Sequence, residues 1–136
     1  MTPSGFDVRP TAHPTAPQIR DTILESPGFG QYFSDHMAHV RWTESAGWHG
    51  NEVRPYGPLT LDPAAAVLHY AQEIFEGIKA YRHADGSVWT FRPEKNAERF
   101  RRSARRLALP ELDDETFIGS LKALLALDSD WVPTPA

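Results

Sequence analysis

Arg99 lies beside Phe100 in the run FRPEKNAERF, where apolar residues recur at helical spacing. A guanidinium at the edge of a buried seam can reach an anion held against the domain, and its planar fork suits phosphate. From spacing alone, a surface arginine on a basic helix is the plainer reading. Tyr70 and Phe75 fall in LHYAQEIFEG, where a helix gives way to a strand. Core aromatics are the ordinary use of such residues. A flat apolar wall with a phenol tip also suits a branched aliphatic side chain. The only lysines are Lys79, Lys95 and Lys122. Covalent carbonyl chemistry needs a desolvated lysine, neutral and nucleophilic. Lys95 and Lys122 lie off the apolar seams of two expected helices. Lys79 sits in an expected strand between Ile78 and Ala80, free to face either way. None is expected to be a Schiff-base amine.

Other chemistries find less support. His36 and His39 are three apart, which on a strand puts them on opposite faces, a poor metal pair. Glu73 and Glu76 also face apart on a strand, so paired-carboxylate hydrolysis is not expected. No serine lies in a nucleophile-elbow pattern, and the glycines are spread through turns rather than gathered in a phosphate loop. The chain has no cysteine, hence no disulfide, thiolate zinc site or thiol nucleophile. No catalytic group and no metal site is expected among these residues.

A net charge of −4 argues against general nucleic-acid binding. Arg92, Lys95, Arg99, Arg101, Arg102, Arg105 and Arg106 form a basic stretch, and Glu111, Asp113, Asp114 and Glu115 follow at once. Such runs are usually solvated faces that partly neutralise each other. No apolar run approaches the ~20 residues that cross a membrane. The N-terminus lacks the basic start and apolar block of a secretory signal, so the cytoplasm is the expected location. A chain of 136 residues can bury roughly two-thirds of its unfolded surface in one domain.

The elements that position these residues read as follows. Residues 1–17 hold four prolines and read as an extended arm, ordered only if it docks. Gln18–Ser26 suits a short helix, Gln31–Trp42 a strand, Gly47–Asn51 a turn, and Glu52–Tyr56 a strand whose Pro55 favours an edge. Asp62-Pro63 signals a short helix through AAAVLHYA. Ile74–Arg82 and Ser87–Arg92 read as strands joined through Asp85-Gly86. Pro93 opens a helix with the seam Ala97, Phe100, Ala104 and Leu107. Asp113 caps another, with Phe117, Leu121, Leu124 and Leu125 inward. Segregated strands and helices predict an α+β fold, a small antiparallel sheet with helices packed on it.

Taken in order, PGFGQYFSDHM, WHGNEVRPYGPLTLDP, LHYAQEIFEGIKAYR, DGSVWTFRPEKNAERFRRSARRLALPEL and DWVP resemble the amino-terminal domain of branched-chain amino acid aminotransferases over about residues 27–133. These are class IV pyridoxal-phosphate enzymes of the D-amino-acid-aminotransferase fold type. The form LHYAQEIFEG favours the branched-chain enzymes over others sharing that fold. The resemblance implies that Arg99 contacts the phosphate of pyridoxal 5′-phosphate. It implies that Tyr70 and Phe75, and less specifically Phe29 in GFGQYF, line a pocket for branched-chain amino acids and 2-oxo acids. It assigns residues 18–136 to the small domain. The large lysine-bearing domain, which brings the Schiff-base amine, is expected to be absent from this chain. The expected role is therefore to supply pocket walls, one phosphate contact and part of a dimer interface, without activity alone. The alternative is a non-catalytic or trans-complementing module. The uncovered face around Phe29, Tyr70 and Phe75 predicts a homo-oligomer.

Overall fold

The computed structural model describes residues 5–134. Its centre is a three-stranded sheet in the order β1-β3-β2, made of Asp7–Val8 (β1), His36–Thr43 (β2) and Gly47–Pro55 (β3). β2 and β3 run antiparallel, with His36 opposite Pro55 and Thr43 opposite Gly47. β1 pairs with β3 in parallel, Asp7 opposite Glu52 and Val8 opposite Val53. The sheet is therefore mixed, which corrects the all-antiparallel expectation. The added strand comes from the proline-rich arm, and its neighbour Phe6 is 1% exposed. Phe6, Val53 and Ala123 form the core, with Val8, Ala38, Val40, Leu124 and Leu127 packed around it. The described part of the arm docks on its own chain, its strand at the free edge of β3 and its later amides on the His36 and Asp35 side chains.

Two further strand expectations shift. The turn lies at Glu44–Ala46 rather than Gly47–Asn51. A three-residue hairpin loop needs a left-handed residue at its end, and Gly47 supplies it at φ 64°. A bulge follows where Val40 faces both Gly50 and Asn51, and Gly50 takes φ 65° there. Glycine at these sites marked strand irregularities, not the turn itself. β3 is the middle strand, and Pro55 is tolerated because it is the last residue of the ladder.

The helices are Pro17–Glu25 (α1), Ala66–Tyr70 (α2), Pro93–Arg106 (α3) and Asp114–Leu127 (α4), with a 3-10 turn at Ser129–Trp131. Asp62 accepts the amide of Ala64 at 2.7 Å, so it caps a turn ahead of α2 rather than the helix itself. α3 starts with Pro93 at its first position, as the sequence signals. It ends in a left-handed Ala108, with Leu109 N–H donating to Ala104 O at 2.9 Å and Ala108 N–H to Arg105 O at 3.3 Å. Asp113 caps α4, accepting from the amide of Thr116 at 2.7 Å. Ala97 and Ala104 are buried, and Phe100 meets Phe117 at 5.2 Å between ring centroids, joining α3 to α4. α4 in turn packs against the main sheet.

A second hairpin, Ala80–Arg82 (β4) and Val88–Thr90 (β5), turns through Asp85-Gly86 as expected. Its first strand is shorter than Ile74–Arg82. Residues 72–79 carry no ladder and are instead held along α3 by hydrogen bonds at both ends. Gln72 Nε2 donates to Leu107 O at 2.8 Å at one end, and Asn96 Nδ2 donates to Gly77 O at 2.9 Å at the other. Arg82 anchors the hairpin by donating to the Ser129 carbonyl.

Two polar nodes, one half-buried and one buried, tie the arm to the C-terminal part of the chain. Asp35 accepts from the Thr15 amide (3.1 Å), the Thr15 hydroxyl (2.6 Å) and the Trp131 indole (3.0 Å). Burial raises the Asp35 pKa, but these hydrogen bonds outweigh it and hold the carboxyl below its ordinary 3.8. Asp128 accepts the His36 amide at 3.0 Å and pairs with His36 Nδ1 at 2.5 Å. His36 Nε2 accepts the Thr11 amide at 2.8 Å, which puts the ring proton on Nδ1. His36 is thus structural.

Candidate functional site

The clamp on residues 72–79 builds the site. These residues alternate, with Gln72, Ile74, Glu76 and Ile78 half-buried and Glu73, Phe75, Gly77 and Lys79 exposed. This is the period of an extended chain lying on a surface. Asn96 and Arg99 are three apart on α3, so they share the face that meets Glu76. Arg99 donates to Glu76 twice, from Nε at 3.1 Å and from Nη2 at 2.7 Å. Asn96 Nδ2 adds a third hydrogen bond at 2.9 Å and is itself buried.

The electrostatics follow from that geometry. Arg99 donates its hydrogen bonds to the Glu76 carboxylate, and those bonds outweigh burial. With Asn96 they hold the Glu76 pKa below its ordinary 4.5. The same pair raises Arg99 above its ordinary value. Asp113 is also depressed, because the Thr116 amide donates to it. Groups with lowered folded pKa stabilise the fold above their unfolded values, 3.8 for Asp35 and Asp113 and 4.5 for Glu76. That stability is lost as pH falls through the lower folded values. An acid titration by circular dichroism should therefore show unfolding below about pH 4. Asp35→Asn should be less stable than the parent near neutrality, and the gap should close in acid. A gap independent of pH would refute this assignment.

Arg99 opens onto a concavity of about 480 Å³. Four cationic side chains line it, Lys79, Arg92, Lys95 and Arg99, with Tyr81 and Phe91 beside them and no acidic residue among the lining groups. Lys95 is paired to Glu98 at 2.7 Å, and Arg92 lies 3.9 Å from Glu94. Arg92 caps α3 with a left-handed backbone, φ 49°. The arrangement can hold a compact anion, with a planar fork already oriented by Glu76 and Asn96. Lys79, Lys95 and Lys122 are all exposed, so none has the desolvated setting of a carbonyl-reactive amine.

The expected wall residues lie elsewhere. Phe29, Tyr70 and Phe75 are 95%, 83% and 86% exposed. Phe75 lines a second concavity, with Ile74 and three residues of α3 that do not include Arg99. The structure therefore brings Arg99 together with Glu76, Asn96 and Lys79, and sets Phe75 in a separate hollow. Sequence reasoning missed Asn96 and the cationic lining. The i, i+3 spacing of Asn96 and Arg99 was the available signal. Its partner Glu76 is 23 residues from Arg99, beyond any local pattern.

No protein-family model matches the chain. Individual relatives do. The chain is 57% identical over 133 residues to a Streptomyces coelicolor protein described as a probable branched-chain-amino-acid aminotransferase, covering 98% of this chain and 37% of that one. It is 56% identical over 131 residues to the branched-chain-amino-acid aminotransferase of Mycolicibacterium smegmatis, 96% of this chain and 36% of the relative. It is 50% identical over 108 residues to branched-chain-amino-acid transaminase 1 of Bacillus subtilis, 79% and 30%. The chain thus spans about a third of the length of the curated relatives it matches. Among the described residues, no helix is long and apolar enough to cross a membrane.

Proposed function

Proceeding from a chain homologous to branched-chain-amino-acid aminotransferases over about a third of their length, we propose that it serves as the phosphate-contacting, wall-forming part of such an enzyme. The substrates are branched-chain amino acids and their 2-oxo acids, and the cofactor is pyridoxal 5′-phosphate. The observation that carries this reading is the hollow with four cationic side chains around Arg99.

The residues fit the cofactor's anionic end. Arg99 donates from Nε and Nη2 to Glu76, and its Nη1 has no partner among the described residues. Lys79 adds to the same hollow a cation with no ion pair among the described residues. Glu76 and Asn96 fix the guanidinium before any ligand arrives, which lowers the ordering cost of binding. When bound, pyridoxal phosphate supplies the electron sink for amino-group transfer. The amine that engages its aldehyde comes from outside these residues, since all three lysines are exposed. Phe29, Tyr70 and Phe75 become pocket walls once the rest of the enzyme covers them.

A fluorescence titration of the chain with pyridoxal phosphate, followed by borohydride reduction and peptide mapping, tests the reading. Expected are saturable binding, competition by inorganic phosphate, and no stoichiometric adduct at Lys79, Lys95 or Lys122. Absence of saturable binding would sink the phosphate role. A one-to-one adduct at Lys79, which lines the same hollow, would overturn the claim that the amine comes from elsewhere.

A further inference from the structure

The outward face of the β4–β5 hairpin carries two large exposed rings. Tyr81 stands directly opposite Trp89, so their side chains share one face of the strand pair. They are 42% and 60% exposed, while Ala80, Arg82, Val88 and Thr90, on the other face, are half-buried. An exposed indole is ordinarily free to turn, yet Trp89 is held. Its Nε1–H donates to Ser87 Oγ at 2.7 Å. Ser87 in turn donates to the Asp85 carboxylate, from Oγ at 2.6 Å and from its amide at 2.9 Å. The His83 ring lies 5.9 Å from the Trp89 ring, tilted by 54°. A flat aromatic surface is thus oriented before a ligand arrives, which lowers the ordering cost of stacking on it.

That surface adjoins the cationic hollow. Tyr81 lines the hollow together with Phe91, Lys79, Arg92, Lys95 and Arg99. Trp89 is not among the lining residues and stands across the strand pair from Tyr81, about 5 Å away by backbone pairing. A compact phosphate ester fills the hollow and stops short of Trp89. A ligand with a phosphate at one end, a polar spacer and a flat aromatic group at the other reaches both. Every nucleobase has such a flat face, and stacking on aromatic side chains tolerates any base. A bare sugar phosphate offers the two rings no aromatic partner.

We propose that the hollow and the hairpin face together bind a nucleotide, with its phosphate among Lys79, Arg92, Lys95 and Arg99 and its base stacked on Tyr81 and Trp89. The phosphate end rests on the reading of the Arg99 hollow as a phosphate site, and the base end rests on the hairpin alone. A nucleotide and pyridoxal phosphate then compete for the same cations.

Titration of the 136-residue chain with adenosine 5′-monophosphate at low salt, followed by tryptophan fluorescence and amide chemical shifts, tests it. The comparison probes are ribose 5-phosphate, which lacks the base, adenosine, which lacks the phosphate, and inorganic phosphate. The monophosphate should bind saturably, quench fluorescence, and bind at least about fivefold tighter than ribose 5-phosphate or adenosine. The chain has four tryptophans, so Trp89→Leu identifies the one that reports. That variant should lose the quenching and bind the monophosphate only as well as ribose 5-phosphate, whose own binding stays unchanged. Trp89→Phe keeps a ring and should keep part of the preference, which separates stacking from a loosened hairpin. Equal binding of the monophosphate and ribose 5-phosphate, adenosine binding as tightly as the monophosphate, or a preference that survives Trp89→Leu would each overturn the proposal. So would loss of ribose 5-phosphate binding in Trp89→Leu, which would assign Trp89 to the fold of the hairpin. Saturable inorganic phosphate with no gain from the base would leave the phosphate reading standing, and no phosphate binding at all would remove both.

Discussion

Asp128→Ala is expected to cost about 3–5 kcal/mol of folding stability, because it strands two buried donors at once. The carboxylate accepts the His36 amide at 3.0 Å and the His36 Nδ1–H at 2.5 Å, and both side chains are 6% exposed. Each buried donor left without an acceptor costs about 1–3 kcal/mol. The loss propagates, since His36 in turn accepts the Thr11 amide and so holds the docked arm. Asp128 also closes α4 through its own amide, which donates to Leu124 O at 2.9 Å, but alanine preserves that bond. Asp128→Asn keeps one acceptor oxygen and should cost less than alanine. Urea unfolding measures both, with a shifted midpoint at unchanged slope marking a change in stability alone. A difference between parent and alanine variant below about 1 kcal/mol would mean that water replaces the carboxylate without penalty.

Arg99→Gln is expected to weaken pyridoxal phosphate binding by about tenfold or more, while leaving binding of phosphate-free pyridoxal unchanged. The guanidinium is oriented in advance by two hydrogen bonds to Glu76. Its side chain is 48% exposed, so salt should weaken the parent's binding and flatten the contrast with the variant. Glutamine removes the charge and keeps a donor, which separates charge recognition from simple hydrogen bonding. Equal losses for pyridoxal and pyridoxal phosphate would assign Arg99 to the shape of the hollow instead. Glu76→Gln is the matching control, since it removes the carboxylate that orients the fork in advance and should also weaken binding.

Local chemistry was legible wherever a few neighbouring residues decide the outcome. Pro93 opens α3, Asp113 caps α4 and Asp85-Gly86 turns the second hairpin, each at the expected place. Gly47 and Gly50 misled because a left-handed glycine serves a hairpin end and a bulge as well as a turn. The strand expected over Ile74–Arg82 is laddered only at Ala80–Arg82, although burial alternates along the residues before it. Alternation reports the backbone conformation, and what lies alongside is a separate question.

The sequence by itself determined the family likeness, the α+β class, the helix α3 opened by Pro93, the helix α4 capped by Asp113, and Arg99 as the guanidinium to watch. Those follow from motifs and from signals within a turn or two. Only the tertiary structure decided that Phe6 enters the core, that β1 joins β3 in parallel and that Asp128 satisfies His36 across 92 residues. It alone set Glu76 against Arg99 and brought Tyr81 to the hollow of that guanidinium. Such pairings depend on where distant segments come to rest, and no local propensity encodes the distance between two side chains on different elements.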